Sequence, residues 1–419
     1  MTRKERTEGM GFATQAIHAG IEADPITGAV GPSIVTSCMF TAEFGDIGFS
    51  AAGTNESKVP FAYAREGHPN SAQLERKLAY LDEAEDAVVF SSGIAAISGL
   101  LLQELSPGDH VLISDVSYAG TAEFARGFLR SKSIEVSLVD MSDLEDITAN
   151  LRPNTKMIYA ETPCNPVLKL VDIAAVAELA HAKGAKLVID GTFATPAVQK
   201  PILLGADYAV YSLTKYYSGH GDALGGAIVG RREDIDRIRR DVGVHLGANL
   251  SPFNSWLIMR GIETLKLRMA AYSQSAQKIA EFLEQHPFVS SVRFPGLKSH
   301  PQYEVAQKQM SLPSGMISFK PLDNDALGHA ISANMKVFTF AASLGLSRSL
   351  ILHCDTKDLF ETTFVLDQKH SDRYRAWAGD GFFRLSIGLE DVEDLIADLR
   401  AALDAAASAC QSDKLQASQ

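Results

Sequence analysis

The stretch Ser212-Leu213-Thr214-Lys215-Tyr216-Tyr217-Ser218-Gly219-His220-Gly221-Asp222 decides how this chain is read. The apolar run Tyr208-Ala209-Val210-Tyr211 precedes it, and Gly225-Gly226-Ala227-Ile228-Val229-Gly230 follows. A lysine between two strand-like runs, with hydroxyls before it and glycines after, stands where the chain enters a buried sheet. Burial disfavours the ammonium form, lowers the pKa and makes the amine a usable nucleophile and base. Lys215 is therefore expected to form a Schiff base with an aldehyde cofactor. The rest of the chain must supply that cofactor's other partners.

Working outward, the preceding residues alternate. Short apolar strands are expected at 87–90, 111–113, 134–139, 157–159 and 186–189, with helices at 93–105, 121–129, 143–151 and 173–182 between them. Such alternation predicts an α/β domain with a mostly parallel sheet covered on both faces. Ligands in such sheets bind beyond the carboxyl ends of the strands. The polar residues to inspect are therefore Ser91-Ser92-Gly93, 115–118, 161–165, Asp190 and 212–215.

Upstream, Leu74, Leu78 and Leu81 share one face of a helix that Asn70 or Ser71 would cap. Residues 1–60, rich in Gly, Thr, Pro and Ser, read as an N-terminal arm lying on a neighbouring subunit. Residues 61–255 form the large domain and 256–419 a smaller C-terminal α+β domain. In the smaller domain one long helical stretch is expected from Ser251 through Leu283. Strands follow at 289–292, 316–319 and 382–386, and helices at 326–333 and 392–403. The Ala-, Ser- and Gln-rich tail from Ala405 is expected to be loosely held.

Composition narrows the function. The net charge of −12 argues against general affinity for nucleic acid or an acidic membrane. No uninterrupted apolar run reaches the length of a membrane span. The 4 cysteines form no CxxC pair and no His/Cys cluster, so no metal site is expected. Few cysteines and no apolar leader point to a cytoplasmic protein.

Several residues beyond strand ends carry candidate chemistry. Asp190 follows Lys186-Leu187-Val188-Ile189 directly. Its plain reading is a turn or cap residue; the alternative is a carboxylate pairing with a protonated pyridine nitrogen, as pyridoxal phosphate requires. Ser92, Gly93 and Ile94 lie between a strand and a helix, where backbone N–H groups cradle a phosphate or simply form a cap. Ser212 and Thr214 would add hydroxyl donors. Tyr118 would stack on an aromatic cofactor, or pack ordinarily.

Together these pieces resemble the Cys/Met-metabolism pyridoxal-phosphate enzymes, the trans-sulfuration or cystathionine γ-synthase-like family. The resemblance runs from Thr14-Gln15-Ala16-Ile17-His18-Ala19-Gly20 almost to the C-terminus. It is carried by Tyr63-Ala64-Arg65, Ser91-Ser92-Gly93, Glu161-Thr162-Pro163-Cys164-Asn165-Pro166 and Asp190-Gly191-Thr192-Phe193-Ala194. Ser212-Leu213-Thr214-Lys215-Tyr216, Ser343-Leu344-Gly345 and Phe383-Arg384-Leu385-Ser386-Ile387-Gly388 complete it. The resemblance implies the fold-type-I, aspartate aminotransferase-like architecture and pyridoxal 5′-phosphate as cofactor.

Residue by residue, it implies that Lys215 holds the cofactor and moves protons. Asp190 pairs with the ring nitrogen, and Tyr118 stacks on the ring. Ser92, Gly93, Ile94, Ser212 and Thr214 bind the phosphate. Tyr63 and Arg65 reach that phosphate from a neighbouring subunit of a homotetramer, with Tyr63 as the acid at the leaving group. Asn165 bonds the ring hydroxyl or the substrate, and Arg384, helped by Ser343, grips the substrate carboxylate.

The expected reaction is α,γ-elimination from a γ-substituted L-amino acid of the methionine, cystathionine or homoserine-derivative class. It yields a 2-oxoacid, ammonia and the leaving group. The alternative is γ-replacement, as in an O-acyl-homoserine sulfhydrylase or cystathionine γ-synthase. Three departures from the family pattern bear on substrate. Gly120 stands where methionine γ-lyases carry cysteine, which disfavours a strict methionine γ-lyase. Arg348 stands where cystathionine-using relatives carry glutamate; it would favour a distal anion, or else it turns outward into solvent. The polar, loop-like segment 360–380 is unusual and either shapes the pocket mouth or lies on the surface. A specialised substrate, even one without sulfur, is consistent with all three.

Overall fold

The computed structural model describes residues 9–24, 26–47 and 59–417. Much of the expected arm, residues 1–8, 25 and 48–58, therefore lies outside the described residues.

Two sheets organise the described chain. The first has seven strands in the order β1-β7-β6-β5-β4-β2-β3. They are β1 (Asp86–Phe90), β2 (His110–Ser114), β3 (Glu135–Val139), β4 (Thr155–Glu161), β5 (Lys186–Asp190), β6 (Tyr208–Ser212) and β7 (Gly226–Gly230). β7 runs antiparallel to both its neighbours, β1 and β6, and the remaining pairings are parallel. The connection from β6 to β7 is therefore a reversal, and Lys215 sits in it.

The parallel strands are continuous apolar runs because both faces are covered. Side chains alternate across a strand. In β5, Val188 joins the core beneath helix Gly93–Glu104, while Leu187 and Ile189 join the core beneath helix Ile173–Ala182. All three are 0% exposed, so Leu187→Ala would cost about 2–5 kcal/mol in lost burial and cavity formation.

The second sheet has the order β10-β11-β12-β9-β8. Its strands are β8 (Val289–Arg293), β9 (Met316–Pro321), β10 (Thr339–Phe340), β11 (Leu350–Asp355) and β12 (Gly381–Ser386). β10 and β11 pair in parallel; the other pairings are antiparallel. Helices Leu265–Gln285, Asn324–Asn334 and Val392–Ala417 close the core on one of its faces.

Several expectations need correction. The tail from Ala405 is not loose: helix Val392–Ala417 continues through it. Leu395, Leu399, Ala402, Leu403 and Ala406 recur at helical spacing and are all buried in the second core. Segment 360–380 is not a loop. It holds the end of helix Thr356–Thr362 and the whole of helix Gln368–Ala378, capped by Asp355 and Asp367.

The stretch expected as one helix from Ser251 is two, Pro252–Glu263 and Leu265–Gln285, broken at Thr264. Helix Pro69–Asp82 is capped by His68, with Pro69 at the first position, rather than by Asn70 or Ser71. Asn70 instead ties the described arm down: its Oδ1 accepts from Val35 N at 2.9 Å and its Nδ2 donates to Ser33 O at 2.8 Å.

Candidate active site

A cavity of about 460 Å³ opens at the carboxyl ends of β4, β5 and β6 and reaches β12 of the second sheet. Lys215, Asp190, Tyr118, Asn165, Ser343 and Arg384 line it. Ser92, Gly93, Ile94, Ser212 and Thr214 line its other end.

Lys215 Nζ donates to Ser343 Oγ at 2.9 Å. Burial first, and the Arg384 guanidinium second, hold its pKa below the ordinary lysine value. The amine is thus biased toward the neutral, nucleophilic form. Ser343 has φ +119°, a conformation that costs a non-glycine residue energy and marks strain held by its surroundings.

Arg384 is 7% exposed. It donates from Nη1 to Asn165 Oδ1 at 2.5 Å and from Nη2 to Ser343 O at 3.1 Å. Burial holds its pKa below the usual arginine value. Its Nε is buried without a partner. An uncompensated cation with an orphan donor facing a cavity suits a substrate carboxylate.

Asp190 accepts from Thr192 N at 3.0 Å and from the Tyr159 hydroxyl at 3.2 Å. Neither partner is a cation, and burial pushes its pKa up. A protonated pyridine nitrogen would supply the missing positive charge.

The opposite end fits a phosphate. Ser92 caps helix Gly93–Glu104, its Oγ accepting from Ala95 N at 3.2 Å. This helix N-terminus carries the positive end of the dipole. A Cβ on Gly93 would stand 2.9 Å from the Ser212 Cβ, so only glycine leaves the cradle open. Thr192 Oγ1 accepts from Ser212 N at 2.9 Å and fixes the backbone there.

Glu161 also lines the cavity, although the sequence reading assigned it no role. It ends β4 beside Asp190 at the end of β5, in register. Its Oε2 accepts from Tyr118 N at 2.7 Å and its Oε1 from Asn165 N at 2.9 Å. Burial, then the Asp190 charge, pushes its pKa far up. The strand-end rule that selected Asp190 selects Glu161 equally.

Three expected site residues stand apart from this cavity within one chain. Tyr63 is 44% exposed. Arg65 donates from Nη1 to Val244 O at 2.9 Å and lies 5.4 Å from the centre of the Tyr63 ring. Arg348 is exposed. A Cβ on Gly120 would meet the Tyr118 ring at 2.6 Å, so any side chain at this position would have to displace that ring.

Residues 13–404 match the family described as Cys/Met metabolism PLP-dependent enzyme. The chain is 41% identical over 407 residues to L-methionine gamma-lyase of Porphyromonas gingivalis, covering 96% of this chain and 99% of that protein. It is 39% identical over 406 residues to canavanine gamma-lyase of Pseudomonas canavaninivorans, covering 96% and 98%. Cystathionine gamma-lyase from Lactobacillus plantarum, solved in complex with L-serine, superposes with a TM-score of 0.84 at 34% identity, covering 94% of this chain and 99% of that one. The chain belongs to the Cys/Met metabolism PLP-dependent enzyme family, and the cation-free Asp190, the open glycine cradle and the half-buried Lys215 fit pyridoxal 5′-phosphate as its cofactor.

Proposed function

We propose that this protein is a γ-lyase that removes a γ-heteroatom leaving group from an L-amino acid and releases a 2-oxoacid and ammonia. The carrying observation is the juxtaposition, in one cavity, of the Lys215 amine with the partly unpartnered Arg384 guanidinium. Similarity to γ-lyases acting by name on methionine and on canavanine supports the reaction class and leaves room for a non-sulfur substrate.

Bound pyridoxal phosphate supplies an aldehyde for the substrate amine and a ring that draws electrons from Cα. The chain's own residues do the rest. Asp190 would hold the ring nitrogen protonated, and Tyr118 would stack on the ring. Ser92, Gly93, Ile94, Ser212 and Thr214 would hold the phosphate. Arg384 orients the substrate carboxylate, with Asn165 and Ser343 fixing the guanidinium. The Lys215 amine takes the Cα proton and carries it between carbons; burial, which lowers its pKa, favours the neutral form that a base needs.

Tyr63 and Arg65 serve the cavity of a neighbouring chain, where Tyr63 protonates the departing group. This arrangement requires at least a dimer, and we propose a homotetramer with residues 1–60 as the contacting arm. Residues 61–255 then make up the cofactor domain and 256–419 the smaller domain. Among the described residues no helix is long and apolar enough to cross a membrane. A cytoplasmic location is part of the same proposal.

The test is turnover of O-acetyl-homoserine with and without sulfide, alongside methionine, cystathionine and canavanine. Oxoacid release without an added nucleophile is the expected result. Product formation that strictly requires sulfide would replace this reading with γ-replacement.

A further inference from the structure

A second, smaller cavity of about 10 Å³ lies behind the site, against one face of the second sheet. That volume holds a single water-sized body. Antiparallel register builds its floor. Arg293 pairs with Ser318 and Ser291 with Lys320 across β8 and β9. Directly opposed residues point to the same face, and so do residues two apart on a strand. Two cations thus stand diagonally with two hydroxyls. Trp377 and Val167 cover them from above.

The charge there is unbalanced. No aspartate or glutamate lines the cavity. Among the described residues neither Arg293 nor the Lys320 ammonium has an ion pair, and Arg293 Nε is buried with no acceptor. The Arg293 guanidinium lies 4.8 Å from the centre of the Trp377 ring, which offers only a cation–π contact. Burial alone pulls the Arg293 pKa down, with no carboxylate acting against it. By contrast Lys169, also over Trp377 at 5.6 Å, is paired with Asp140 at 2.7 Å. Arg293 and Lys320 are each only half-buried, but the Arg293 Nε is fully buried without an acceptor, and an anion from outside the chain would supply that acceptor and balance the two charges.

We propose that this cavity is a binding site for a small monovalent anion of halide size, held between Arg293, Lys320 and the Ser291 hydroxyl beneath Trp377. The near-single-water volume rejects phosphate and sulfate. The apolar lid of Val167 and Trp377 suits a weakly hydrated ion. Ser318 Oγ is committed, donating to Pro166 O at 2.7 Å, which leaves Ser291 as the hydroxyl donor.

The site adjoins the catalytic cavity through two contacts. Ser318 pairs in register with Arg384, and Trp377 Nε1 donates to Val167 O at 2.9 Å, two residues beyond Asn165. An ion here would therefore brace the loop that carries Asn165.

Bromide is the probe. Crystals of the cofactor-loaded protein soaked in sodium bromide are expected to show an anomalous peak in this cavity, within contact of Arg293 Nε and Lys320 Nζ. The peak should disappear in Arg293→Gln. In solution, replacing gluconate by chloride at constant ionic strength should raise Tm for the wild type and not for Arg293→Gln or Lys320→Gln. The lysine variant covers the case in which the arginine variant fails to fold. A cavity empty of bromide in crystals that carry the ion elsewhere, or a chloride-dependent Tm rise unchanged in both variants, overturns the proposal.

Discussion

The Lys215 amine and the Ser343 hydroxyl are 2.9 Å apart, joining the β6–β7 reversal to a loop before β11 of the second sheet. Ser343 also offers its carbonyl to Arg384 at 3.1 Å. One strained residue thus spaces the proposed base from the proposed carboxylate clamp.

Lys215→Ala removes both the cofactor anchor and the base. Oxoacid release should fall by at least about 10³-fold, within the range lost with a general base. The visible absorbance of the bound cofactor should shift or vanish. Turnover that persists in this variant would sink the assignment.

Arg384→Lys keeps the charge but loses the planar fork that reaches Asn165 Oδ1 and Ser343 O. We expect a loss of about 2–3 kcal/mol in kcat/KM, roughly 30- to 150-fold, mostly in KM. An unchanged KM would remove Arg384 from the substrate site.

Tyr63 and Arg65 stand outside the Lys215 cavity of their own chain. If they complete a neighbour's cavity, Tyr63→Phe and Lys215→Ala, each inactive alone, should complement when refolded together. Random pairing of shared sites predicts about one quarter of wild-type activity in the mixture. No recovery in demonstrably mixed oligomers would place the leaving-group acid elsewhere.

Arg348 is exposed, so its charge acts through solvent. Arg348→Glu should shift selectivity toward substrates with a distal cation and away from a distal anion. The change in the kcat/KM ratio should be small, about fivefold at most, as for exposed charge pairs. Equal effects on both substrate types would mean that Arg348 takes no part in selection.

His300 is buried as a neutral ring: Nε2 donates to Leu168 O at 3.1 Å and Nδ1 accepts from Gln302 N at 3.1 Å. Burial lowers its pKa from 6.5 to about 4. The folded value lies below the unfolded one, so its contribution is intact above pH 6.5 and is lost progressively as pH falls from 6.5 to about 4. At pH 5 the loss is up to about 2 kcal/mol. Calorimetric Tm values at pH 7 and pH 5 should converge for His300→Gln relative to wild type; parallel pH dependence in the two proteins would refute this.

The sequence by itself determined the alternating α/β core and the strand-end positions of Lys215 and Asp190. Both rest on short-range signals, the period of apolar residues and polar groups directly after strands. The tertiary structure alone decided what depends on contacts between distant segments. Arg384 meets Asn165 across 219 positions of chain, and Glu161 meets Asp190 only because β4 and β5 are neighbours in register.

Helix Gln368–Ala378 has a sequence polar enough to read as loop, yet it docks where buried Asp146 receives Lys369 at 2.5 Å and His370 at 3.3 Å. The Ala-rich tail has little side chain to announce burial, yet Ala406 sits in the second core at 0% exposure. At the opening lysine, local sequence set the position of Lys215. Its lowered pKa belongs to the fold, because the Arg384 charge that helps depress it comes from chain far away in sequence.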